Sequence, residues 1–323
     1  MRLSVVLPLY NEEKDIASNV ENVIDTLRGF KGGYEIIIVN DGSTDNSLKV
    51  LKKISRKYSF VKIISYNKNR GRGYALRQGF DKASGDFVVV TESDLNWGSE
   101  IILNILFVLE NKDADIVVAS PYRKGGKLVN VPFKRAFLSR FGNILLSAAV
   151  NYKITMVSGM TRGYKREVIK NIVLENDDKE IHLEIISKAI ALGYKIKEIP
   201  AVLKWEKKKK DKRNKAKKKS TFNAGKFIRT HLLFSFTESP ILIFYFSIVI
   251  SLFLAILLLL IFTLFGLQIN MLSISIILLL LLIINYFMQF YQIKILGVHA
   301  KSTYKKLVGL YKPYLKLKRK IKK

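Results

Sequence analysis

Residues 86–96, Asp86-Phe-Val-Val-Val-Thr-Glu92-Ser-Asp94-Leu-Asn96, form an apolar run that ends in two carboxylates and an amide. The β-branched residues of this run predict a buried strand. In open parallel α/β sheets, ligands bind beyond the carboxyl ends of the strands, so the chemistry is expected at this end. Glu92, Asp94 and Asn96 offer hard oxygen donors that suit Mg²⁺ or Mn²⁺ bound to phosphates. A solvated acidic turn after a core strand is the alternative interpretation of this motif taken alone.

Strand-like and helix-like segments alternate on both sides of this run. Besides the carboxylate strand, strands are predicted over residues 2–8, 35–40, 61–65 and 115–120. Helices are predicted over residues 13–27, 46–58 and 99–110, and from about residue 71 to residue 82. This alternation indicates βαβ units and a mostly parallel sheet.

The composition restricts the class of partner. The 323 residues carry a formal net charge of +29, which indicates an anionic partner: nucleic acid, anionic lipid or a phosphorylated substrate. There is no cysteine, so disulfides and thiolate chemistry are excluded, and only three histidines are present. No aromatic side chain that could stack on a base is interleaved with the lysines from Glu206 to Lys219, which argues against nucleic acid.

Two apolar stretches, residues 241–267 and 271–293, are each long enough to cross a bilayer as a helix. Basic residues flank both, at 204–219 and 301–323, so the positive-inside rule places both flanks in the cytoplasm. Residues 221–236 have the pattern of an amphipathic helix at the membrane surface. Two buried core helices are the alternative. We expect a two-pass cell-membrane protein with a cytoplasmic N-terminal domain and cytoplasmic termini.

This interpretation divides the chain into four segments. They are a cytoplasmic domain at 1–203, a basic loop with an interfacial helix at 204–238, a membrane hairpin at 239–296 and a basic cytoplasmic tail at 297–323.

Two further turns carry residues typical of nucleotide sites. Asp41 follows the second predicted strand, where it is placed to bind sugar hydroxyls or a base edge; a simple turn aspartate is the alternative. Gly71-Arg72-Gly73 opens a helix whose free N–H groups are expected to meet a phosphate. No acidic residue follows at the distance that a dinucleotide fingerprint requires.

Four motifs then occur in one order along the chain. They are Pro8-x-Tyr10-Asn11-Glu12, Val39-Asn-Asp41-Gly-Ser-Thr-Asp45, Asn69-Arg-Gly71-Arg-Gly73-Tyr-Ala75 and the acidic pair before Leu95. Residues 2–200 thereby resemble the inverting glycosyltransferases of family 2, which have the GT-A fold, and among them the polyprenyl-phosphate sugar transferases such as dolichyl-phosphate mannose and glucose synthases. The resemblance implies metal-dependent transfer of a sugar, with inversion, from a UDP- or GDP-sugar to a dolichyl or undecaprenyl phosphate at the cytoplasmic membrane face.

The resemblance also implies roles for single residues. Those expected at the nucleotide-sugar donor are Pro8, Tyr10, Glu12, Asp41, Arg72 and Glu184. Those expected to hold Mg²⁺ or Mn²⁺ are Glu92, Asp94 and Asn96. Those expected at the acceptor phosphate are Arg135, Ser139 and Arg162. Arg135 and Ser139 are four residues apart, so on a helix they share one face.

The chain departs from the family pattern at three places. Glu92 stands where relatives usually carry Asp, and Pro121 stands at the usual arginine of the acceptor loop, with Arg123 two residues later. After Pro200, the lysine-rich run 204–219 replaces a loop Arg-x-x-Gly-x-Ser-Lys that closes on the diphosphate. Arg123 and Arg213 are the candidates to replace the missing guanidinium groups.

Three other functions stay open at this stage. A processive polysaccharide synthase shares the N-terminal motifs but would carry a Gln-x-x-Arg-Trp element and more spans. A membrane-anchored nucleic-acid-binding protein would account for the charge, and an inactive family member acting as a scaffold would account for the departures. The sequence leaves the oligomeric state open, including a homo-oligomer, and does not choose the donor or the lipid.

Overall fold

The computed structural model describes residues 2–111, 113–149, 153–205, 248–257, 260, 274 and 279–291. Among these residues, no helix combines the length and the apolar character that a membrane crossing needs. The amphipathic segment 221–236, the tail 297–323, and much of both apolar stretches lie outside the described residues.

The chain divides into two units, Met1–Asn223 and Ala224–Lys323. In the second unit, residues 248–257 and 279–291 are helical. These helical residues expose large apolar side chains: Leu252, Phe253 and Ile256 are 58%, 64% and 60% exposed.

Strands and helices alternate through most of the first unit. The strands are β1 (Arg2–Leu9), β2 (Gly33–Asp41), β3 (Val61–Tyr66), β4 (Phe87–Val90), β5 (Ile116–Ser120), β6 (Lys127–Val129), β7 (Arg162–Lys165), β8 (Ile196–Pro200) and β9 (Val202–Lys204). The helices are α1 (Ile16–Leu27), α2 (Ser47–Lys57), α3 (Arg72–Lys82), α4 (Ile101–Asn111), α5 (Phe133–Ala149), α6 (Arg166–Asn171) and α7 (Ile181–Ala191). The five strands and four helices predicted from the pattern are thereby confirmed, with small shifts at their ends.

Seven strands form one sheet in the order β3-β2-β1-β4-β7-β5-β8. All neighbouring pairs are parallel except those of β7, which runs antiparallel to both β4 and β5. The central strands are apolar runs because helices cover both faces of such a sheet; Val5, Ile37 and Val89 are fully buried. The prediction of a mostly parallel α/β sheet is confirmed.

The order of the strands determines where a ligand site is expected. From β1 the chain moves outward through β2 and β3, and then returns to place β4 on the other side of β1. The strand order therefore reverses between β1 and β4, and ligands of open α/β sheets bind at such a reversal, beyond the carboxyl ends of the strands. Tyr10 and Glu12 follow β1 at this point, and Glu92, Asp94 and Asn96 follow β4.

A buried glutamate in β2 contributes to the stability of this sheet. The Glu35 carboxylate accepts hydrogen bonds from the Ser4 hydroxyl at 2.6 Å, the Ser84 hydroxyl at 2.6 Å and the Lys62 ammonium at 2.6 Å. Burial by itself raises the pKa of this carboxyl, but these donors outweigh it and lower the pKa to about 2.

We expect Glu35→Gln to destabilise the protein at pH 7 by about 3 kcal/mol, because the pKa lies about two units below the usual value of about 4.3. A depressed carboxyl pKa gives stability that is present above the unfolded value and is lost as the pH falls from about 4.3 to about 2. The free energy of unfolding of the variant should therefore fall less steeply over that pH range than the free energy of unfolding of the wild type. Urea unfolding of the full chain in detergent at several pH values measures both effects.

The matched control is Glu21→Gln, because Glu21 is 52% exposed and pairs with Lys57 at the surface. That change should alter the free energy of unfolding by less than about 1 kcal/mol. Equal losses in the two variants would contradict the role given to Glu35.

Candidate active site

The turn after β4 holds the two candidate carboxylates half-buried at the edge of the sheet. Asp94 accepts two hydrogen bonds within the turn, from the Asn96 side-chain amide at 2.6 Å and from the Asn96 backbone N–H at 3.3 Å. Leu95 adopts φ 48°, a left-handed conformation that is uncommon for a branched residue. This conformation reverses the chain between Asp94 and Asn96, so that the three polar residues stay together.

A divalent metal ion is implied by the family resemblance, and the residues of this turn fit one. Because the Asn96 amide nitrogen points to Asp94, the amide oxygen lies at the other end of the group and remains a donor atom. Together with Glu92 and Asp94 it supplies the all-oxygen ligands that Mg²⁺ and Mn²⁺ prefer. Over the described ranges, no cluster of three or more histidine, cysteine, aspartate or glutamate side chains is placed to bind a metal. The amide oxygen of Asn96 is therefore needed as a metal ligand beside the carboxylates of Glu92 and Asp94.

The loops that follow β1 and β2 are joined by reciprocal hydrogen bonds. The Asn11 side-chain oxygen accepts the Thr44 N–H at 2.8 Å, and the Ser43 hydroxyl accepts the Asn11 N–H at 2.9 Å. Glu12 donates its N–H to the Ser47 hydroxyl at 2.9 Å. Tyr10 is 43% exposed beside this junction. The predicted donor residues Tyr10 and Glu12 thus lie on a rigid rim, whereas the side chain of Pro8 is buried within β1.

Asp41 is at the end of β2, where the sequence predicted a nucleoside contact, and it is 5% exposed. Its two carboxylate oxygens accept the backbone N–H groups of Arg70 at 2.8 Å and Gly71 at 3.1 Å. Burial, followed by a hydrogen bond with Asp41 and the charge of that carboxylate, raises the pKa of Tyr66. Asp41 therefore shapes the loop that enters α3.

The N-terminus of α3 does not offer the free N–H groups that the sequence led us to expect. The carbonyl oxygen of Asp177 accepts the N–H groups of Gly73 at 2.7 Å and Tyr74 at 3.1 Å. Glycine is required here because a Cβ on Gly73 would lie 2.3 Å from the Asn176 oxygen, and one on Gly71 would lie 2.5 Å from the Asp177 oxygen. The prediction of a free N–H group is wrong for Gly73, because a carbonyl oxygen of the loop at residues 176–178 accepts its hydrogen bond.

We expect Gly73→Ala to displace the loop at residues 176–178 and to destabilise the protein by about 1–3 kcal/mol, as overpacking does elsewhere. The added methyl group meets backbone atoms, which cannot move aside as a flexible side chain would. Gly29→Ala is the matched control, because a Cβ at Gly29 meets nothing within 4 Å. Unfolding in urea compares the two variants, and equal stability would contradict this account of Gly73.

Arg135, in the first turn of α5, lies over an aromatic ring and within electrostatic range of a carboxylate. Its guanidinium carbon lies 3.8 Å from the centre of the Trp205 ring. Burial lowers the pKa of the Arg135 guanidinium, and the negative charge of Glu92 opposes that effect. The candidate acceptor arginine is thus within electrostatic reach of the candidate metal site.

Ser139 shares this face of α5, as its spacing from Arg135 predicted. Burial raises the pKa of the Tyr122 phenol, while a hydrogen bond with Ser139 and the charges of Arg140 and Arg135 lower it. Tyr122 therefore joins Arg135 and Ser139 in one cluster. Arg123, the candidate to replace the family arginine, is exposed in the turn after β5, where its carbonyl accepts the Gly126 N–H at 2.7 Å.

Arg72 lies at the start of α3 and contributes to a second group of cations. Burial lowers the pKa of Lys179, as do the charges of Arg72 and Arg135. The burial of His182, followed by the positive charges of Arg162, Arg72 and Lys179, holds the pKa of its imidazole well below the usual range. His182 is the one histidine in the part of the chain that the structure describes, and it is 2% exposed.

Two predicted site residues are built into the interior. Arg162 is fully buried, and its guanidinium donates to the carbonyl oxygens of His182 at 2.8 Å and of Val157. The Glu184 carboxylate is 4% exposed and accepts the Lys188 ammonium at 2.6 Å and the Glu175 N–H at 2.9 Å. Both side chains are therefore out of reach of a substrate. The structure does not support direct binding of substrate by Arg162 or by Glu184.

Glu184 acts on the site indirectly. It holds the 175–177 loop whose carbonyl caps α3, and thereby links α7 to α3. Arg213, the last candidate residue, lies outside the described residues.

Tyr122 and Trp205 belong to the site but are not among the residues predicted from the sequence. Tyr122 is next to the predicted Arg123, and Trp205 is at the start of the lysine-rich run. An aromatic residue next to a candidate phosphate ligand is the signal that could have found them.

Known proteins share the sequence family and the fold of this chain. The family model described as Glycosyl transferase family 2 matches residues 4–173. A dolichol-phosphate mannosyltransferase of Pyrococcus furiosus is 33% identical over 191 residues, which are 58% of this chain and 53% of that protein. An undecaprenyl-phosphate 4-deoxy-4-formamido-L-arabinose transferase of Proteus mirabilis is 28% identical over 59% of this chain and 56% of that protein. The chain therefore spans about half the length of these curated relatives.

Among solved structures, glucosyl-3-phosphoglycerate synthase from Mycobacterium tuberculosis in complex with UDP superimposes with a TM-score of 0.53. The match covers 73% of this chain and 79% of that chain at 19% identity, so it shows a shared GT-A-like fold. Since the family model matches more than half of the residues, this chain belongs to glycosyl transferase family 2.

Proposed function

We propose that this protein transfers a sugar, with inversion, from a nucleotide-diphosphate sugar to a polyprenyl phosphate at the cytoplasmic surface of a membrane. The donor is a UDP- or GDP-sugar, and Mg²⁺ or Mn²⁺ is held by Glu92, Asp94 and Asn96. Arg135 and Ser139 bind the acceptor phosphate.

The observation that carries this proposal is that a cationic cluster lies beside a carboxylate turn. The Arg135 guanidinium is within electrostatic reach of Glu92, and it shares its surroundings with Tyr122 and Lys179. Such a site suits two anionic substrates, because the carboxylates hold a metal-bound diphosphate while the arginine binds the phosphate that attacks the anomeric carbon of the sugar. A neutral acceptor would have no use for the second group of positive charges.

The side chains also suit the nucleophile of this reaction. An ionised phosphate oxygen of the acceptor attacks the anomeric carbon while the bond to the diphosphate breaks, so no strong general base is needed. His182 agrees with this, because it is 2% exposed and its pKa is held well below the usual range, which makes it a weak proton acceptor out of reach of substrate. Arg135 reduces the repulsion between the two anions as they approach each other.

The bound metal would neutralise the charge that develops on the leaving diphosphate. Arg72, at the start of α3 on the same edge of the sheet, adds a positive charge near that position. An interaction that becomes stronger as charge develops in the transition state lowers the activation barrier. An interaction that is equally strong in the ground state does not.

The relatives support the substrate class. The names of the two curated relatives describe transferases for dolichol phosphate and for undecaprenyl phosphate, which are both polyprenyl phosphates. The matched region contains the carboxylate turn, and it extends past α5 in the family model.

An exposed aromatic face supports the membrane surface as the place of the reaction. Phe133, Phe137 and Phe141 stack along one side of α5 and are 82%, 59% and 52% exposed. α5 also carries Lys134, Arg135 and Arg140 and no acidic residue. Exposed aromatics flanked by basic residues are typical of segments that contact anionic lipid. The two apolar stretches of the second unit are proposed to anchor the chain.

The test uses the purified full chain in detergent with Mg²⁺ or Mn²⁺, a panel of radiolabelled UDP- and GDP-sugars, and a polyprenyl phosphate. We expect metal-dependent transfer of label from one donor into the lipid fraction. Binding of a nucleotide-sugar without transfer would move the acceptor to another class of molecule. Absence of nucleotide-sugar binding would overturn the proposal and favour an inactive scaffold.

A further inference from the structure

A short strand at the end of the described first unit connects the two halves of the candidate site. β9 pairs in parallel with β6, and its continuation places the Trp205 N–H 2.8 Å from the Val129 carbonyl oxygen. One residue earlier, the Lys204 N–H donates to the Asn96 carbonyl oxygen at 2.8 Å. The backbone of this strand is therefore bonded both to the candidate metal turn and to the segment that leads into α5.

The indole of Trp205 covers one face of the Arg135 guanidinium. The distance of 3.8 Å from the guanidinium carbon to the ring centre is that of close stacking. Both side chains are half-buried. A stacked guanidinium keeps its N–H groups in its own plane, where they can donate two parallel hydrogen bonds to phosphate oxygens. An arginine without such a support would sample many rotamers and lose entropy on binding.

We propose that Trp205 is a positioning residue that holds Arg135 in the orientation that receives the acceptor phosphate. The inference deepens the proposed function and rests on it, since it presumes that Arg135 binds that phosphate. Because β9 is bonded to Asn96, the same strand sets the position of Arg135 relative to the metal turn.

The first experiment measures transfer to farnesyl phosphate with three variants of the full chain. Trp205→Ala should lower kcat/KM for farnesyl phosphate by about 2- to 30-fold, which is the usual range of cation–π energies converted to an affinity ratio. Trp205→Phe, which keeps an aromatic face, should restore most of the loss. The KM of the nucleotide-sugar should change less than that of farnesyl phosphate. Val202→Ala, an exposed change in the same strand, is the matched control.

A double-mutant cycle separates positioning from a general effect on folding. In an Arg135→Ala background, Trp205→Ala should have no further effect on farnesyl phosphate, because its partner is already gone. Additive losses would overturn the proposal, and so would a Trp205→Phe variant as impaired as Trp205→Ala. If Arg135→Ala itself leaves farnesyl phosphate use intact, the acceptor assignment in the proposed function fails and this inference falls with it.

A spectroscopic measurement tests the contact without activity. The chain has two tryptophans, so Trp97→Phe leaves Trp205 as the fluorescent probe. Removing Arg135 in this background should shift the emission to longer wavelength, because water replaces the guanidinium on one face of the ring. Farnesyl phosphate should change the emission when Arg135 is present and leave it unchanged in Arg135→Ala. An emission spectrum that is insensitive to Arg135 would overturn the stacking that the proposal requires.

Discussion

Replacing Asp94 by alanine is expected to abolish metal-dependent sugar transfer, with a loss of about 10³-fold or more. Asp94 is one of the two carboxylates in the turn after β4, and the turn has no third acidic residue to take its place. Loss of its charge weakens the site for a divalent cation and removes the stabilisation of the leaving diphosphate. Nucleotide-sugar turnover, measured against a titration of Mg²⁺ or Mn²⁺, reports both effects.

The alanine variant also loses the two hydrogen bonds that Asp94 accepts from Asn96, so a structural effect must be separated from the chemical one. Asp94→Asn keeps the shape of the side chain and removes the charge, and it should be nearly as inactive as the alanine variant. Asp25→Ala is the matched control, since Asp25 is 60% exposed and pairs with Arg28 at the surface. Unchanged turnover in Asp94→Asn, with an intact fold, would refute the metal assignment.

The regular part of the fold could be predicted because each element carries its own pattern. The apolar runs Val5–Leu7 in β1, Ile36–Val39 in β2 and Phe87–Val90 in β4 contain no charged residue, and the helices between these strands repeat apolar residues every three to four positions. β7 was not predicted, because Arg162–Lys165 contains an arginine, a glycine and a lysine in four residues. It pairs with β4 and β5, and Gly163 leaves room for Ile105 of α4 against the sheet, where a Cβ would lie 2.2 Å from the Ile105 side chain. That contact depends on a distant segment.

The same contrast between local pattern and distant contacts applies to the site. The positions of Tyr10, Asp41 and Asp94 follow from where strands end, and the structure places all three at the carboxyl edge of the sheet. The partners of the polar groups could not be predicted in the same way. The α3 N–H groups and the Arg162 guanidinium looked available for phosphate, but carbonyl oxygens from residues 177 and 182 occupy them. Such contacts join residues that are far apart in the sequence, so the local spacing of residues does not predict them.

Arg135→Ala is expected to raise the KM for farnesyl phosphate by about 10- to 150-fold, which corresponds to one or more hydrogen bonds to a charged group. The donor KM should change by less than about threefold, because the nucleotide is expected on the rim formed after β1 and β2. Arg135→Lys should recover only part of the loss, since an ammonium keeps the charge but lacks the planar fork that stacks on Trp205.

Lys134 provides the matched control, because it is the neighbouring cation on α5 and is exposed. Lys134→Ala removes the same charge from the same helix, so it reports any general electrostatic attraction of the anionic lipid. If both variants lose transfer to farnesyl phosphate equally, the total charge of α5 attracts the anionic lipid. Arg135 then does not bind the acceptor phosphate specifically. If the effect of Arg135→Ala is confined to donor affinity, the arginine belongs to the diphosphate instead. A specific acceptor role requires that farnesyl phosphate use falls in Arg135→Ala, remains near wild type in Lys134→Ala, and is only partly restored by lysine.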